Sequence, residues 1–513
     1  MTRAPALWKS TDVAVQTLAT SFGLTFATAL LLSPTRVVAS HHDAAENDAL
    51  REKVSIAYGR KALDGLRSMH FVDEYRETFR GQGYTPGYDD FWVIHAETII
   101  DLATGRGSYE SWSDQYGRIM QFHTLSTPAG VANVDYETGF YSIDAEATYY
   151  QAFGRNLRAS DTLLAHELVK PDSELERFGD RVYLGRLHSH VALTVPASPP
   201  LHLYIDAETG YIQRMHRSLP NGVDIVYVFE NHRKHNGLVF AREYRVFIDG
   251  ELLLVTRARK VSTNLDAAAL DSAFALPDGL QAEPERIQFD GMQVVAVSDR
   301  LHHVGQNDFS SFYDAGDYLI GLGGYGGLKE RLDAYWQKLG HEKPLRYQLA
   351  THHHSDHTAG LAEAAELGAK IVLPEAISAK VRSDHPSLRT EQLIGYTDFY
   401  ELDTLQMHVF STSHAETMVA IYVPEARTLF QEDHYVRMFK STPGAITRNS
   451  YTFYREVAKL NLAVEKLLSV HGGHVEAWRE FASSASAYAP STCFRNRPLC
   501  PEALAGSGVS AHE

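Results

Sequence analysis

One short run of the chain, residues 351–357 (THHHSDH), combines the side-chain types that bind metal ions. It contains the pattern His-x-His-x-Asp-His, which begins at His352 and ends at His357. Imidazole and carboxylate are the groups that bind zinc, iron or manganese most readily in proteins. With 26 histidines in 513 residues, the full pattern arises by chance in about a few of every thousand such chains. The run therefore predicts a metal site.

The sequence around this run predicts a strand before it and a helix after it. Residues 345–350 (LRYQLA) have the apolar content of a short strand, and residues 361–367 (LAEAAEL) have the composition of a helix that ends at Gly368. Residues 371–373 (IVL) then predict the next strand. The run thus lies in a loop at the C-terminal end of a strand, where α/β proteins usually place their chemistry.

Three later segments offer further metal ligands after predicted strands. Each ligand ends a short stretch: VFSTS precedes His414, TLFQE precedes Asp433, and LLSV precedes His471. A single histidine at a strand end is more often a hydrogen-bonded structural residue. Together with the run, however, these segments resemble the metallo-β-lactamase superfamily in their order and spacing. The resemblance covers roughly residues 289–481.

The resemblance implies a centre with two divalent metal ions. The ligands would form two neighbouring groups joined by one bridging residue: His352, His354 and His414 for one metal, Asp356, His357 and His471 for the other, and Asp433 between them. A ligand set without thiolate suits zinc best and also admits iron or manganese. The family further implies an αββα sandwich, in which two sheets face each other with helices outside and the site lies at one edge.

The chain departs from the family pattern at one position and leaves another open. Gly321 stands where members of the family usually carry a supporting aspartate. Residues 471–474 (HGGH) offer two histidines. We favour His471 as the ligand because it directly follows the predicted strand, and His474 is the alternative.

Three residues beside the predicted ligands are expected to have no direct role. His353 lies between two ligands and should point away, because alternate residues of an extended segment face opposite sides. Glu416 and His434 flank ligands in the chain, and we interpret them as solvated surface residues rather than as supports of the site.

A metal-dependent hydrolase is the function that this ligand set predicts. Two close metals lower the pKa of a shared water toward neutrality, and the resulting metal-bound hydroxide attacks an ester, a lactone or a related bond. Asp356 is the expected catalytic residue, since it is both a ligand and a candidate proton shuttle. The alternatives are an iron-dependent oxidoreductase on the same scaffold and a ligand-binding envelope protein with a vestigial site. The expected substrate is a small molecule.

The first 40 residues have the composition of an export signal. Arg3 and Lys9 precede an apolar run at residues 18–32, and residues 38–40 (VAS) are small enough for cleavage. We therefore expect a periplasmic or secreted protein with no stable membrane span once the signal is removed. An uncleaved anchor is the alternative.

Charge and cysteine content add two further expectations. The formal net charge of -16 disfavours binding to nucleic acid or to anionic membranes. The two cysteines of the chain, Cys493 and Cys500, lie in the tail with six residues between them. In an exported protein this spacing favours a local disulfide, with a pair of free thiols as the alternative.

The length of the chain predicts more than one domain, of α+β class overall. Residues 41–285 should form a mainly antiparallel β domain that begins with a helix near residues 45–67. Asn236-Gly237 and Asp249-Gly250 predict hairpin turns in it. The succession of hairpins loosely resembles the lipoprotein-carrier half-barrels of bacterial envelopes.

The second predicted domain, residues 286–482, contains all the metal motifs. Its amphipathic helices are expected at residues 328–339 and 454–468. Residues 483–513 would form a C-terminal tail that carries both cysteines.

Overall fold

The computed structural model describes residues 41–116 and 118–489. Within them, helices accompany three β-sheets, which confirms the expected mixture of helix and strand. The predicted export signal, Cys493 and Cys500 lie outside the described residues. None of the helices in the described part of the chain has the length and apolar character needed to cross a bilayer.

The N-terminal region, residues 41–285, is built around one 14-stranded sheet. Neighbouring strands are antiparallel, except that the two-residue last strand pairs in parallel with the sixth. The spatial order is β14-β6-β5-β4-β3-β2-β1-β13-β12-β11-β10-β9-β8-β7. The strands are β1 Ser68–Phe79, β2 Asp90–Asp101, β3 Arg106–Gln115, β4 Arg118–Thr127, β5 Gly130–Asp135, β6 Phe140–Asp144, β7 Leu175–Tyr183, β8 Arg186–Leu193, β9 Leu201–Asp206, β10 Ile212–Ser218, β11 Asp224–His235, β12 Leu238–Ile248, β13 Glu251–Thr263 and β14 Gln281–Ala282.

Helices pack against this sheet and bury its apolar side chains. Leu50 and Val54 of the first helix, Phe153 of the third and Leu164 of the fourth belong to one buried cluster with strand residues such as Leu203. Burial of this apolar surface is the main source of stability for such a layer. The helices of the region are α1 His41–Ala57, α2 Lys61–Asp64, α3 Tyr149–Arg158, α4 Asp161–Leu168 and α5 Ala267–Ala273.

The two predicted hairpin turns are confirmed. Asn236 and Gly237 connect β11 to β12 with φ angles of 48° and 86°, and Asp249 and Gly250 connect β12 to β13 with φ angles of 51° and 82°. Positive φ at both central residues is the geometry that matches the twist of paired strands.

The helix predicted near residues 45–67 is divided into two. Gly59, with a φ of 92°, separates α1 from α2. A Cβ atom at this position would lie 1.9 Å from the carbonyl oxygen of Gly237. The chain therefore turns at a glycine because the backbone of the β11–β12 hairpin approaches it closely.

The C-terminal region, residues 286–489, contains the other two sheets, with seven and six strands in sequence order. In the seven-stranded sheet the pairings from the fourth strand onward are parallel, and in the six-stranded sheet the fourth and fifth strands are parallel. The strands are β15 Gln293–Ala296, β16 Leu301–Gly305, β17 Phe309–Asp314, β18 Leu319–Leu322, β19 Leu345–Leu349, β20 Lys370–Pro374 and β21 Leu393–Tyr396, then β22 Phe399–Leu402, β23 Leu405–Phe410, β24 Met418–Val423, β25 Thr428–Gln431, β26 Lys466–Ser469 and β27 Gly472–Ala477.

One buried cluster joins the two C-terminal sheets, and two others join helices to them. Ile320 and Leu349 of the first sheet share a cluster with Ile421 and Leu468 of the second. Helices α6, α8 and α9 pack on the first sheet, and α10 and α11 pack on the second. The helices of the region are α6 Leu328–Leu339, α7 Ser355–Thr358, α8 Leu361–Glu366, α9 Glu375–Asp384, α10 Arg448–Lys459 and α11 Trp478–Ser486.

The helix predicted at residues 328–339 is confirmed as α6, whereas the one predicted at residues 454–468 is wrong in extent. α10 begins six residues earlier and ends at Lys459, and Lys466–Ser469 forms β26 instead. Thr447 explains the start of α10, because its side chain accepts a hydrogen bond from the backbone N–H of Ser450.

Candidate metal centre

Four strand ends bring the predicted metal ligands to one place in the C-terminal region. The ligand run (residues 351–357) follows β19, His414 follows β23, Asp433 follows β25 and His471 follows β26. β19 belongs to the seven-stranded sheet and the other three strands belong to the six-stranded sheet. The two sheets therefore contribute ligands to a common centre.

Asp433 lies in the middle of this centre. Its Oδ2 atom is 3.1 Å from His352 Nε2, 2.9 Å from His357 Nε2 and 3.0 Å from His414 Nε2. Its Oδ1 atom is 2.9 Å from His471 Nε2. One carboxylate thus contacts four imidazoles, which is the position expected of a bridging ligand.

The structure brings all seven predicted ligands together. Their donor atoms form sets within 4.8 Å of one another: His352, His354, His414 and Asp433 in one set, and Asp356, His357 and His471 in another. These sets coincide with the two metal positions implied by the sequence, and Asp433 contacts members of both.

Several of these buried atoms face one another without a well-formed hydrogen bond. Among the described residues, His352 Nε2, His354 Nδ1 and His414 Nε2 form none, and Asp433 Oδ2 has only the imidazole contacts given above. A buried polar atom without a partner costs about 1–3 kcal/mol, so folded proteins rarely keep several side by side. A divalent cation would satisfy all of them, and this mixture of imidazole and carboxylate donors fits zinc, iron or manganese.

Glu432 supports two of the ligands from behind, although no sequence motif pointed to it. Its side chain is fully buried, with Oε2 3.3 Å from His352 Nδ1 and 3.2 Å from His357 Nδ1. Burial raises the pKa of Glu432, but the two imidazoles more than offset this and leave the pKa below its usual range. An ionised Glu432 would hold both Nδ1 atoms and turn both Nε2 atoms toward Asp433.

The glycines at the predicted departure from the family pattern make room for other side chains. A Cβ atom at Gly321 would lie 2.1 Å from Gln348 Oε1, and one at Gly323 would lie 2.7 Å from Glu432 Oε1. The backbone N–H of Gly324 donates a hydrogen bond to the same Glu432 oxygen at 3.2 Å. Gly321 therefore makes room for Gln348, and Gly323 makes room for the buried carboxylate of Glu432.

His471, not its alternative, belongs to the centre. His471 Nδ1 lies 2.9 Å from Asp308 Oδ1, which fixes the orientation of the ring. Burial lowers the pKa of His471, but Asp308 and Asp433 outweigh it and raise the pKa to about 10. His474 lies on β27, and the centroid of its ring is 6.5 Å from the centroid of the Phe289 ring. Asp308 carried no recognisable motif in the sequence.

The N-terminal region also reaches the ligand run, through the β1–β2 loop (residues 80–89). The carbonyl oxygen of Gly83 accepts hydrogen bonds from His353 Nε2 at 2.7 Å and from His354 Nε2 at 3.1 Å. His353 belongs to neither set of donors, as predicted. Burial lowers the pKa of His353 to about 4, so its ring is neutral at physiological pH. His354 keeps its Nδ1 atom for the centre because Nε2 is bound to Gly83.

Further contacts of the β1–β2 loop lie next to Asp356. Gln82 Nε2 donates a hydrogen bond to Asp356 Oδ1 at 2.7 Å, and the backbone N–H of Ser355 donates to the carbonyl oxygen of Gly81 at 2.9 Å. A Cβ atom at Gly81 would lie 2.9 Å from Ser355 Cβ. The loop is therefore fitted against the ligand run at close range.

The environment of Asp356 keeps it ionised. Burial raises its pKa, but the neighbouring His357 imidazole and the Gln82 amide outweigh burial and place the pKa below its usual range. A carboxylate of this kind is a good metal ligand and a weak proton acceptor.

One interpretation of neighbouring residues was wrong. Glu416 is exposed, as expected, but His434 is buried. The ring of His434 stacks on that of Phe453 with 4.6 Å between the ring centroids, and its Nε2 atom lies 3.1 Å from Thr412 Oγ1. His434 therefore supports the loop that carries His414, because a strand end in the core turns it inward.

Comparisons with known proteins identify structural neighbours of two kinds. A metallo-β-lactamase from Pontibacter korlensis has 14% sequence identity and a TM-score of 0.31, covering 39% of this chain and 100% of its own. One from Hirschia baltica has 15% identity and a TM-score of 0.31, covering 38% of this chain and 97% of its own. An outer membrane lipoprotein-sorting protein domain from Vibrio parahaemolyticus has 9% identity and a TM-score of 0.28, covering 45% of this chain and 97% of its own.

No protein-family model matches the chain, and no curated protein matches it. The structural neighbours are of the same two kinds as the proteins that the sequence patterns resemble. Their TM-scores are low, and it is the geometry of the centre that supports a function for this chain.

Proposed function

We propose that this protein is a metal-dependent hydrolase with a dinuclear centre and that zinc is its favoured metal. The observation that carries this proposal is the convergence of the predicted ligands, several of whose buried donor atoms have no hydrogen-bond partner among the described residues. One metal would be held by His352, His354, His414 and Asp433, and the other by Asp356, His357, His471 and Asp433.

The residues of the chain have separable tasks in this proposal. When bound, divalent metals lower the pKa of water toward neutrality and polarise a substrate carbonyl oxygen. Glu432 and Asp308 hold the Nδ1 atoms of three ligand imidazoles, so that the Nε2 atoms face Asp433. Asp356 would stay ionised and act as a metal ligand rather than as a proton carrier, because Gln82 and His357 hold its pKa below the usual range.

We propose a small-molecule ester, lactone or related acyl compound as the substrate. The net charge of -16 argues against nucleic acid. The β1–β2 loop of the N-terminal region contacts the ligand run and would therefore lie beside a bound substrate.

We also propose the organisation of the whole chain. Residues 1–40 would direct export to the periplasm or the exterior, and Cys493 and Cys500 would form a disulfide in the tail at residues 483–513. Residues 41–285 would form the β domain, and residues 286–482 would form an αββα sandwich of the metallo-β-lactamase type. The separate sheets and the clusters between them support this division.

Metal analysis with a substrate panel tests the proposed function. Protein purified without added metal is assayed for metal content and for esterase, lactonase, phosphatase and lactamase activity, as wild type, His352→Ala and the exposed control His341→Ala. We expect bound zinc and acyl-bond hydrolysis in wild type and control, and a lower zinc content with loss of hydrolysis in His352→Ala. Bound iron with redox activity, or unchanged activity in His352→Ala, would contradict the proposal.

A further inference from the structure

A cleft of about 370 Å³ opens between the two regions of the protein. Tyr84 and Tyr116 of the N-terminal region form one wall, and the segment at residues 411–413 forms the floor. The opposite wall is one face of α10, with Arg448, Thr452, Arg455 and Glu456. The spacing of residues 448, 452 and 455 places their side chains on the same side of a helix.

The floor of the cleft is the loop that carries a predicted metal ligand. Ser413 immediately precedes His414, and its backbone N–H donates a hydrogen bond to Thr452 Oγ1 at 3.2 Å. Ser413 Oγ donates to Asn449 Oδ1 at 2.7 Å, and Asn449 Nδ2 lies 3.3 Å from His414 Nδ1. A molecule in the cleft would therefore lie beside the metal centre.

The wall from the N-terminal region is aromatic. The rings of Tyr84 and Tyr116 lie 5.0 Å apart, and Tyr84 Oη is 2.9 Å from Ser411 Oγ, so the wall is joined to the floor. Tyr116 is 47% exposed, which leaves its ring free for contact. Flat apolar groups bind well against such surfaces.

The opposite wall has unpaired positive charge in an acidic protein. Among the described residues, no carboxylate forms an ion pair with Arg448 or Arg455, and the Nε atom of Arg448 is buried without a hydrogen-bond partner. The carboxylate of the cleft, Glu456, is paired with Lys459 at 2.6 Å. Guanidinium groups recognise carboxylate, phosphate and sulfate through paired hydrogen bonds.

We infer that this cleft binds the substrate through an anionic group. The substrate class is an acyl compound with an apolar or aromatic part, held by the two tyrosines, and an oxyanion, held by Arg448 and Arg455. This inference rests on the proposed hydrolase function, which supplies the bond to be cleaved. The cleft and its charges do not depend on turnover, so binding is measurable by itself.

Calorimetry tests the binding of an anion without any reaction. Phenylacetate and its neutral analogue phenylacetamide are titrated into metal-quantified wild type, the Arg448→Ala/Arg455→Ala double variant and the control Arg382→Ala, whose side chain is exposed on α9. We expect phenylacetate to bind wild type and control more tightly than phenylacetamide does. Loss of charge-assisted hydrogen bonds should weaken phenylacetate in the double variant by about 10-fold or more at unchanged metal content.

Equal phenylacetate affinity in wild type and double variant would overturn the inference, since the metal alone would then bind the anion. Absence of any difference between phenylacetate and phenylacetamide in wild type would also overturn it. Tyr116→Ala is expected to lower the affinity for both compounds to a similar degree, because the tyrosine ring contacts the phenyl group that both compounds share.

Turnover of matched esters separates this inference from the proposed function. The para-nitrophenyl monoester of glutaric acid carries a carboxylate that para-nitrophenyl pentanoate lacks. We expect wild type to prefer the anionic ester and the double variant to lose that preference through a higher KM. Hydrolysis of both esters without preference would reject the anion site alone. Phenylacetate binding without hydrolysis of any ester would reject the hydrolase function alone.

Discussion

His188 in the N-terminal region and His352 in the metal centre are equally buried, yet their ring nitrogens have opposite surroundings. His188 Nδ1 lies 2.9 Å from the carbonyl oxygen of Arg186, and its Nε2 lies 2.9 Å from Gln213 Oε1. His352 Nε2 faces Asp433 and has no hydrogen-bond partner. Both nitrogens of His188 are thus paired with uncharged groups of the fold, whereas Nε2 of His352 faces the Asp433 carboxylate.

Buried carboxylates differ between the two regions in the same way. Asp73 receives two hydrogen bonds of 2.8 Å from Arg259, so its charge is neutralised within the sheet. Asp433 has imidazoles around it, and no arginine or lysine of the described residues pairs with it. Neutralisation of Asp433 therefore requires protonated imidazoles or a bound cation. Asp73 is thus paired with a guanidinium of the fold, whereas the surroundings of Asp433 suit a metal ligand.

Metal loading should produce the largest effect. Metal at about a thousandfold above its Kd adds about 4 kcal/mol of stability, and a chelator should remove it. His352→Ala should reduce this metal-dependent shift of Tm, because it removes a ligand of one of the two metal positions. His188→Ala should lower Tm with and without metal, because it leaves Gln213 without its partner, and should retain the shift. Thermal unfolding with zinc and with chelator measures both, and an equal shift in the two variants would break the comparison.

Acidification should destabilise the protein through a paired histidine, His303. It lies 2.9 Å from Ser311 Oγ and 2.9 Å from the carbonyl oxygen of Gly472, and burial lowers its pKa to about 4. The unfolded chain, with a histidine pKa of about 6.5, binds the proton first, so stability falls as pH drops from about 6.5 toward 4, by up to about 3 kcal/mol.

Denaturant unfolding of chelated protein at several pH values measures this loss. His303→Gln should be less stable at neutral pH and should have a flatter pH dependence, while the exposed control His341→Gln should follow wild type. If His303→Gln lost stability with acid as steeply as wild type does, the proton would bind elsewhere.

The ligand run was predictable from its own residues, whereas the three later ligands were predicted from their order and spacing, which resemble those of a known family. His414, Asp433 and His471 follow short apolar strands, and the ligand run has its own spacing. The hairpin turn at Asn236-Gly237 was equally predictable, since a turn with positive φ at both central residues favours such a pair. These features depend on residues that are close together in the sequence, so they can be predicted without knowledge of the fold.

The rest depends on contacts that the sequence does not encode locally. Gly83 lies 270 positions before His353, and nothing around it marks a partner of the ligand run. The role of Glu432 was not predicted, because the residue directly precedes Asp433 and was interpreted as part of the strand before it. The start of α10 was predicted too late in the chain, because the prediction followed the apolar periodicity and not the Thr447–Ser450 capping pattern.

Removal of the Glu432 charge should have a moderate effect on the centre. Glu432→Gln keeps the shape but weakens its hold on His352 and His357. Loss of such an outer partner lowers metal affinity by about 10–100-fold. Competition with a zinc-binding dye measures the affinity, and the exposed Glu416→Gln is the control. Unchanged affinity in Glu432→Gln would mean that this carboxylate is a core group of the kind represented by Asp73.

Gln82→Ala should have the smallest effect, and it tests whether the division between the regions is strict. The variant removes one hydrogen bond to Asp356, worth about 1 kcal/mol and so about 5-fold in affinity for the metal held by that carboxylate. Gln281→Ala, exposed on β14, is the matched control. Zinc competition should register a weaker site in Gln82→Ala at unchanged Tm of the chelated protein. Such a result would make the N-terminal region part of the centre, because a residue with no metal contact of its own would set the affinity. A lower Tm at unchanged zinc affinity would instead place Gln82 with His188, as a residue that holds the fold.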